Sequence, residues 1–143
     1  MTASTSHSRW RWPAAAALSA TAAIHADLVP AHLHEAPYAG VLFIALAAGA
    51  LTTAIALLAT GHRLAWLAAG ALCGSALVAY ALSRSLGLPS MSDDIGHWLD
   101  PLGVGAVVSE MLVVALAGAV LAGQPRMVSS TGPVGVPARS PSP

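Results

Sequence analysis

Four stretches of this sequence, residues 13–33, 37–60, 64–86 and 101–122, stay apolar over the ~20 residues that a helix needs to cross a bilayer. In hydrocarbon each backbone N–H and C=O must be satisfied inside the segment, so runs of this length predict helices. Composition removes the alternatives. Only 8% of the 143 residues are charged, against roughly 25% in an ordinary soluble domain. A soluble fold would lack the polar surface that keeps it dispersed. Disorder of the bulk is excluded because hydrophobic residues make up 56% of the chain. The expected fold class is all-α, a four-helix transmembrane bundle over residues 13–122. It follows a cytoplasmic segment, residues 1–12, and precedes a Pro-, Ser- and Gly-rich disordered tail, residues 123–143.

Local signals set the expected helix ends. Pro13, Pro37 and Pro101 stand at starts, where a missing N–H is no loss, and Asp100 is placed to cap the fourth helix. Gly61 and Gly123 follow the second and fourth runs, as C-terminal glycines do. Pro30 is a candidate kink in the first.

All six basic residues are Arg, which excludes lysine chemistry, and they are unevenly spread. With the N-terminus inside, Arg9, Arg11, Arg63, Arg126 and Arg139 are cytoplasmic and only Arg84 is outside. Both termini are therefore expected in the cytoplasm of a multi-pass inner-membrane protein. Trp10, Trp12 and Trp66 would anchor the inner boundary and Trp98 the outer one. A second reading of the N-terminus is a cleaved signal peptide, with Arg9 and Arg11 before an apolar run and small residues near Ala26. Scattered Arg residues give no basic patch, so no nucleic-acid partner is expected. The lone Cys73 has no disulfide partner within the chain and reads as a buried thiol. Small residues four apart, Gly70 with Gly74, Ala45 with Gly49 and Ala115 with Ala119, point to close helix packing within the bundle or in a homo-oligomer.

With this orientation all six acids and four of six histidines lie in the outer half. Glu110 stands well inside the fourth span, where a carboxylate costs about 2.5–3.5 kcal/mol on insertion scales, so it needs a partner. Arg84, with Tyr80 one turn deeper on the same face, is the expected partner in an intramembrane polar cluster. Three roles stay open for Glu110: a structural ion pair, a proton-relay or ligand-binding carboxylate, and a protonated acid bonded to backbone carbonyls.

His25, His32, His34 and Glu35 form a second group. Their nitrogen and oxygen donors are a candidate shell for a divalent metal ion, zinc or copper, with interfacial hydrogen bonding as the alternative. In the outer loop Ser90 or Ser92 is expected to cap a short helix from Asp93 through Leu99. That helix would set Asp93 and Asp94 near His97, as caps or as part of a lid. No nucleophile and base pair, phosphate loop or paired-carboxylate signature is present, and no enzyme is expected.

The run Tyr80-Ala81-Leu82-Ser83-Arg84-Ser85-Leu86-Gly87-Leu88-Pro89, then Asp93, Asp94, Trp98 and Glu110, resembles small uncharacterised four-span integral membrane proteins of actinobacteria. Their first hairpin similarly carries a His-rich stretch and a Glu before an aromatic and a glycine, here His32 to Glu35, then Tyr38 and Gly40. The resemblance spans residues 24–121 and implies four spans and a role for Arg84 and Glu110, with no activity attached. Two functions stay open: a metal-binding transport or accessory protein, and a structural or interaction subunit whose polar groups are interhelical pairs.

Overall fold

The computed structural model describes residues 4–123, with side chains from Arg9 onward. Four helices follow one another: α1 (Ser4–Glu35), α2 (Pro37–Ala59), α3 (Arg63–Leu86) and α4 (Pro101–Ala122). Each is long and apolar enough to cross a membrane. Helix α1 packs on α2 and α4, while α3 packs on α4 and more lightly on α2, so the helices form a ring in chain order. The expected disordered tail from residue 124 lies outside the described residues.

The connections make neighbours antiparallel. Between α1 and α2 stands one residue, Ala36, buried and bonded through its N–H to His32 O at 2.8 Å. Pro37 starts α2 with its missing N–H at the first helical position. So short a link presses the start of α2 onto the end of α1, and Gly40 is where they meet. A Cβ there would stand 2.6 Å from Leu33 Cγ and 2.8 Å from Leu33 N. At the opposite end Gly61 turns α2 into α3 with φ +56°, and the Arg11 guanidinium lies against it, filling the space of any side chain. The His62 ring nitrogen Nδ1 then caps α3 by accepting from Leu64 N.

Buried positions recur three or four apart, as an inward helical stripe requires. In α1 they are Ala14, Leu18, Thr21 and His25; in α4, Ala106, Glu110, Val113 and Ala117. The core is rich in alanine, and Trp66 fills the room this leaves, packed in one cluster with Leu18, Leu57 and Val113. Outward stand Val41, Leu42, Ile44, Leu51 and Ile55 of α2 and Val108, Met111 and Leu112 of α4, an apolar exterior suited to lipid.

Several local expectations change. Helix α1 begins at Ser4, so Pro13 is inside it and not at its start. Proline there removes one backbone bond but leaves the earlier turns free to continue the helix. Trp66, three residues into α3, is fully buried and turned into the bundle, because it shares the inward face of Ala69 and Cys73. Gly123 closes α4 at φ −77°, without the left-handed turn that Gly61 adopts. The small-residue pairs divide: Gly70 faces Ala117 and Gly49 faces Leu72, but a Cβ on Gly74 would meet nothing within 4 Å. Ala45, Ala115 and Ala119 are exposed.

These contacts set opposite outcomes for two alanine substitutions. Gly40→Ala drives a Cβ into the Leu33 backbone and should lower stability by about 1–3 kcal/mol. Gly74→Ala enters open space within a helix and should raise it by about 0.5–1 kcal/mol. Unfolding in detergent followed by circular dichroism measures both; equal effects would show that the Gly40 contact does not hold the hairpin.

Candidate functional site

Two polar assemblies are built on this frame, one inside the bundle and one at the end that carries the α3–α4 loop. The inner one joins α1 to α4. Thr21 and His25 are one turn apart on the buried stripe of α1, facing Ser109 and Glu110 of α4. The Thr21 and Ser109 hydroxyl oxygens are 2.8 Å apart, and Ser109 also reaches the Ala106 carbonyl at 2.9 Å. His25 Nδ1 lies 2.9 Å from the Thr21 carbonyl oxygen, while its Nε2 faces Glu110 Oε1 at 3.6 Å. Both side chains are enclosed, and Glu110 Oε1 is buried without a hydrogen-bond partner. From α2 the Phe43 ring stands edge-on to His25, with ring centres 5.1 Å apart, and touches His32 as well, at 4.5 Å.

The partner expected for Glu110 is therefore replaced. Arg84 is committed at the loop end, where its guanidinium Nη1 is 2.5 Å from Asp94 Oδ1. Depth decides this. Glu110 is nine residues into α4 and His25 ten residues before the end of α1, whereas Arg84 is two residues from the end of α3. At about 1.5 Å per residue, His25 matches the level of Glu110 and Arg84 stands about 10 Å above it.

The outer assembly ties the loop to α3. Ser83 donates to Asp94 Oδ2 at 3.0 Å, and Gly96 N donates to the Arg84 carbonyl at 2.9 Å. Tyr80 does share a face with Arg84, whose guanidinium carbon is 5.1 Å from its ring centre. Its hydroxyl, however, donates to the Trp98 carbonyl at 2.9 Å and not to Glu110. Tyr38 of α2 donates to Pro89 O at 2.8 Å, holding the loop across the bundle end. The expected helix from Asp93 through Leu99 does not form. Only a 3₁₀ turn, Ser92–Asp94, is present, without a side-chain cap, and Gly96 at φ +81° turns the chain away. Ion pairing to Arg84 holds Asp94 in this arrangement. Asp93 and His97 are exposed. At the start of α4 the expected cap is present, with Asp100 Oδ2 accepting from Gly103 N at 2.8 Å.

The metal shell expected from His25, His32, His34 and Glu35 is not gathered. His32 spends Nδ1 on the Leu28 carbonyl at 2.9 Å, and His34 and Glu35 are exposed at the end of α1. Among the described residues no group of three or more His, Cys, Asp or Glu stands close enough to hold a metal ion. His25 accordingly belongs with Glu110 and not with the donors above it. An apolar groove of about 310 Å³ between α3, α4 and Trp98 offers no further chemistry, since the Tyr80 hydroxyl beside it is already engaged.

Thr21, Ser109 and Phe43 join the site without a role expected from sequence, and Ser83, part of the distinctive run around Arg84, gains one as a donor to Asp94. A signal for the first existed: Thr21 and His25 are four apart on the stripe defined by Ala14 and Leu18. The fold and its apolar exterior define a polytopic membrane protein. No family model matches the chain, and no curated protein or solved structure is significantly similar to it.

Double-mutant cycles separate the assemblies. Arg84 and Asp94 should couple by about 0.5–3 kcal/mol, while Arg84 and Glu110 should be additive within about 0.5 kcal/mol. Thr21→Val leaves Ser109 its Ala106 contact and should cost about 1 kcal/mol. Coupling between Arg84 and Glu110 would contradict the depth assignment.

Proposed function

We propose that this protein is a structural or interaction subunit of a membrane assembly and not an enzyme, with its polar groups serving as interhelical pairs. The observation that carries this reading is the engagement of polar side chains across element boundaries. Thr21 meets Ser109, His25 faces Glu110, and Ser83 and Arg84 hold Asp94. Such pairs fix which helix faces meet and at what register, because an alternative register would leave each group alone in hydrocarbon. Four helices of 22 to 32 residues with an alanine-rich core leave little room for a solute path within one copy. The apolar exterior is available to lipid and to other membrane helices.

The arginine distribution supports a cell-membrane location with both termini in the cytoplasm. The segment around Ser83 and Arg84 supports kinship with the four-span actinobacterial proteins it resembles.

Purification from native membranes in a mild detergent, followed by native mass spectrometry and elemental analysis, tests the proposal. The expected particle contains more than one protein chain and no stoichiometric zinc or copper. A lone chain per micelle overturns the subunit reading, and a stoichiometric metal lost on replacing His25 and His32 by Ala favours the metal-binding one. For orientation, a fluorescent protein fused after Pro143 should fold and fluoresce, whereas a phosphatase that matures only outside the cytoplasm should be inactive there. The reverse pattern would place the termini outside.

A further inference from the structure

We propose that Glu110 and His25 form a proton-binding site inside the bundle, holding one exchangeable proton between Glu110 Oε1 and His25 Nε2. The argument begins with the backbone. A carbonyl oxygen only accepts hydrogen bonds, so the 2.9 Å contact of His25 Nδ1 with Thr21 O requires a proton on Nδ1. That contact fixes the tautomer. The neutral ring then presents a bare lone pair on Nε2, aimed at a carboxyl oxygen that is itself buried and has no other partner. A neutral imidazole facing an ionised carboxylate would set lone pair against lone pair, with no water to relieve it. Two protons would leave one positive charge unbalanced in hydrocarbon. One proton, carried covalently by Glu110 and donated to Nε2 when the pair closes from 3.6 Å to hydrogen-bonding distance, leaves neither atom bare and avoids burying a separated pair of charges.

The surroundings support a site for a proton and nothing larger. The two donors stand alone: among the described residues no group of three or more His, Cys, Asp or Glu is close enough to hold a metal ion, and 3.6 Å is too short for a water to sit in line between them. From α2 the neighbour is the Phe43 ring, and from α4 the Ser109 hydroxyl, already bonded to Thr21. From α3 the buried Cys73 stands in the same core as Val113 of α4. On α1 itself, Asp27 is exposed and His32 is the next titratable ring on the same face. His32 touches Phe43 from two turns nearer the loop end. Arg84 and Asp94 are spent on each other. Withdrawal of the proton sets two lone pairs against each other at the α1–α4 contact, leaving the Thr21–Ser109 bond as the named polar tie there. Proton occupancy therefore bears on how tightly these helices hold.

The test uses the full chain in lipid nanodiscs. A hydrophobic carbodiimide, which modifies protonated carboxyl groups within membranes, should give one adduct, mapped to Glu110 by mass spectrometry. Above the midpoint its rate should fall about tenfold per pH unit, following the protonated fraction. Nitrogen NMR of labelled histidine should show His25 protonated at Nδ1 and accepting at Nε2, and its signals should move at the same midpoint as the labelling rate. Glu110→Gln should abolish both the adduct and that movement. Where this variant fails to fold, the two wild-type measurements decide alone. No adduct at Glu110, a His25 ring protonated at Nε2 with Nδ1 bare, or two separated midpoints would overturn the proposal. These measurements do not depend on whether the protein acts as a subunit.

Discussion

Hydrocarbon offers no water to a polar group that loses its partner, and the arrangement of this bundle follows from that constraint. The helices satisfy their own backbones, which leaves the side chains. The buried polar residues fall one turn apart on α1 and side by side on α4, so Thr21 meets Ser109 and His25 stands opposite Glu110. Shifting either helix by one turn would break both contacts at once. A purely apolar interface built mainly from alanine would tolerate such a shift far better, since alanines four apart present nearly the same surface. The polar pairs supply the distinction that the small side chains lack.

The ends of the bundle are held by different means. At one end the link through Ala36 and the bare Cα of Gly40 bring α1 and α2 together by backbone bonds and close packing. Beside them the longer α3–α4 connection is fastened by Arg84, Ser83 and Tyr80 to the loop, and by Tyr38 across to α2. At the other end Arg11 lies against Gly61. The longest connection carries the most side-chain bonds, because chain length alone does not set its conformation.

Much of the frame was legible in the sequence because length and hydropathy act residue by residue. The four spans, the capping Asp100, and Pro37 and Pro101 at helix starts need no tertiary information. What escaped depends on who faces whom. Trp66 reads as an interfacial anchor until the alanines around it are known to leave a space, and Pro13 reads as a helix start until the preceding residues are known to be wound already. Opposite charges suggest Arg84 as the partner of Glu110, yet counting residues from the shared end puts His25 at its level and Arg84 well above. Depth was available from sequence; facing was not. The loop failed for another reason: Asp94, a good helix-capping residue, is held by Arg84 once the fold brings them together.

Thr21 shows how local and interhelical order become one in this protein. Its carbonyl receives Nδ1 of His25 within the same helix, and its hydroxyl meets Ser109 of α4. The first contact determines which nitrogen of the imidazole ring can accept a proton, and the second determines which residue of α4 stands before it. Ser109 being adjacent in sequence to Glu110, fixing one fixes the other. A change that unwinds α1 at this turn would release the tautomer, and a slip of α4 would withdraw the carboxyl. The relation of His25 to Glu110 thus reports on the integrity of the α1–α4 interface, in a region where neither group has water as an alternative partner.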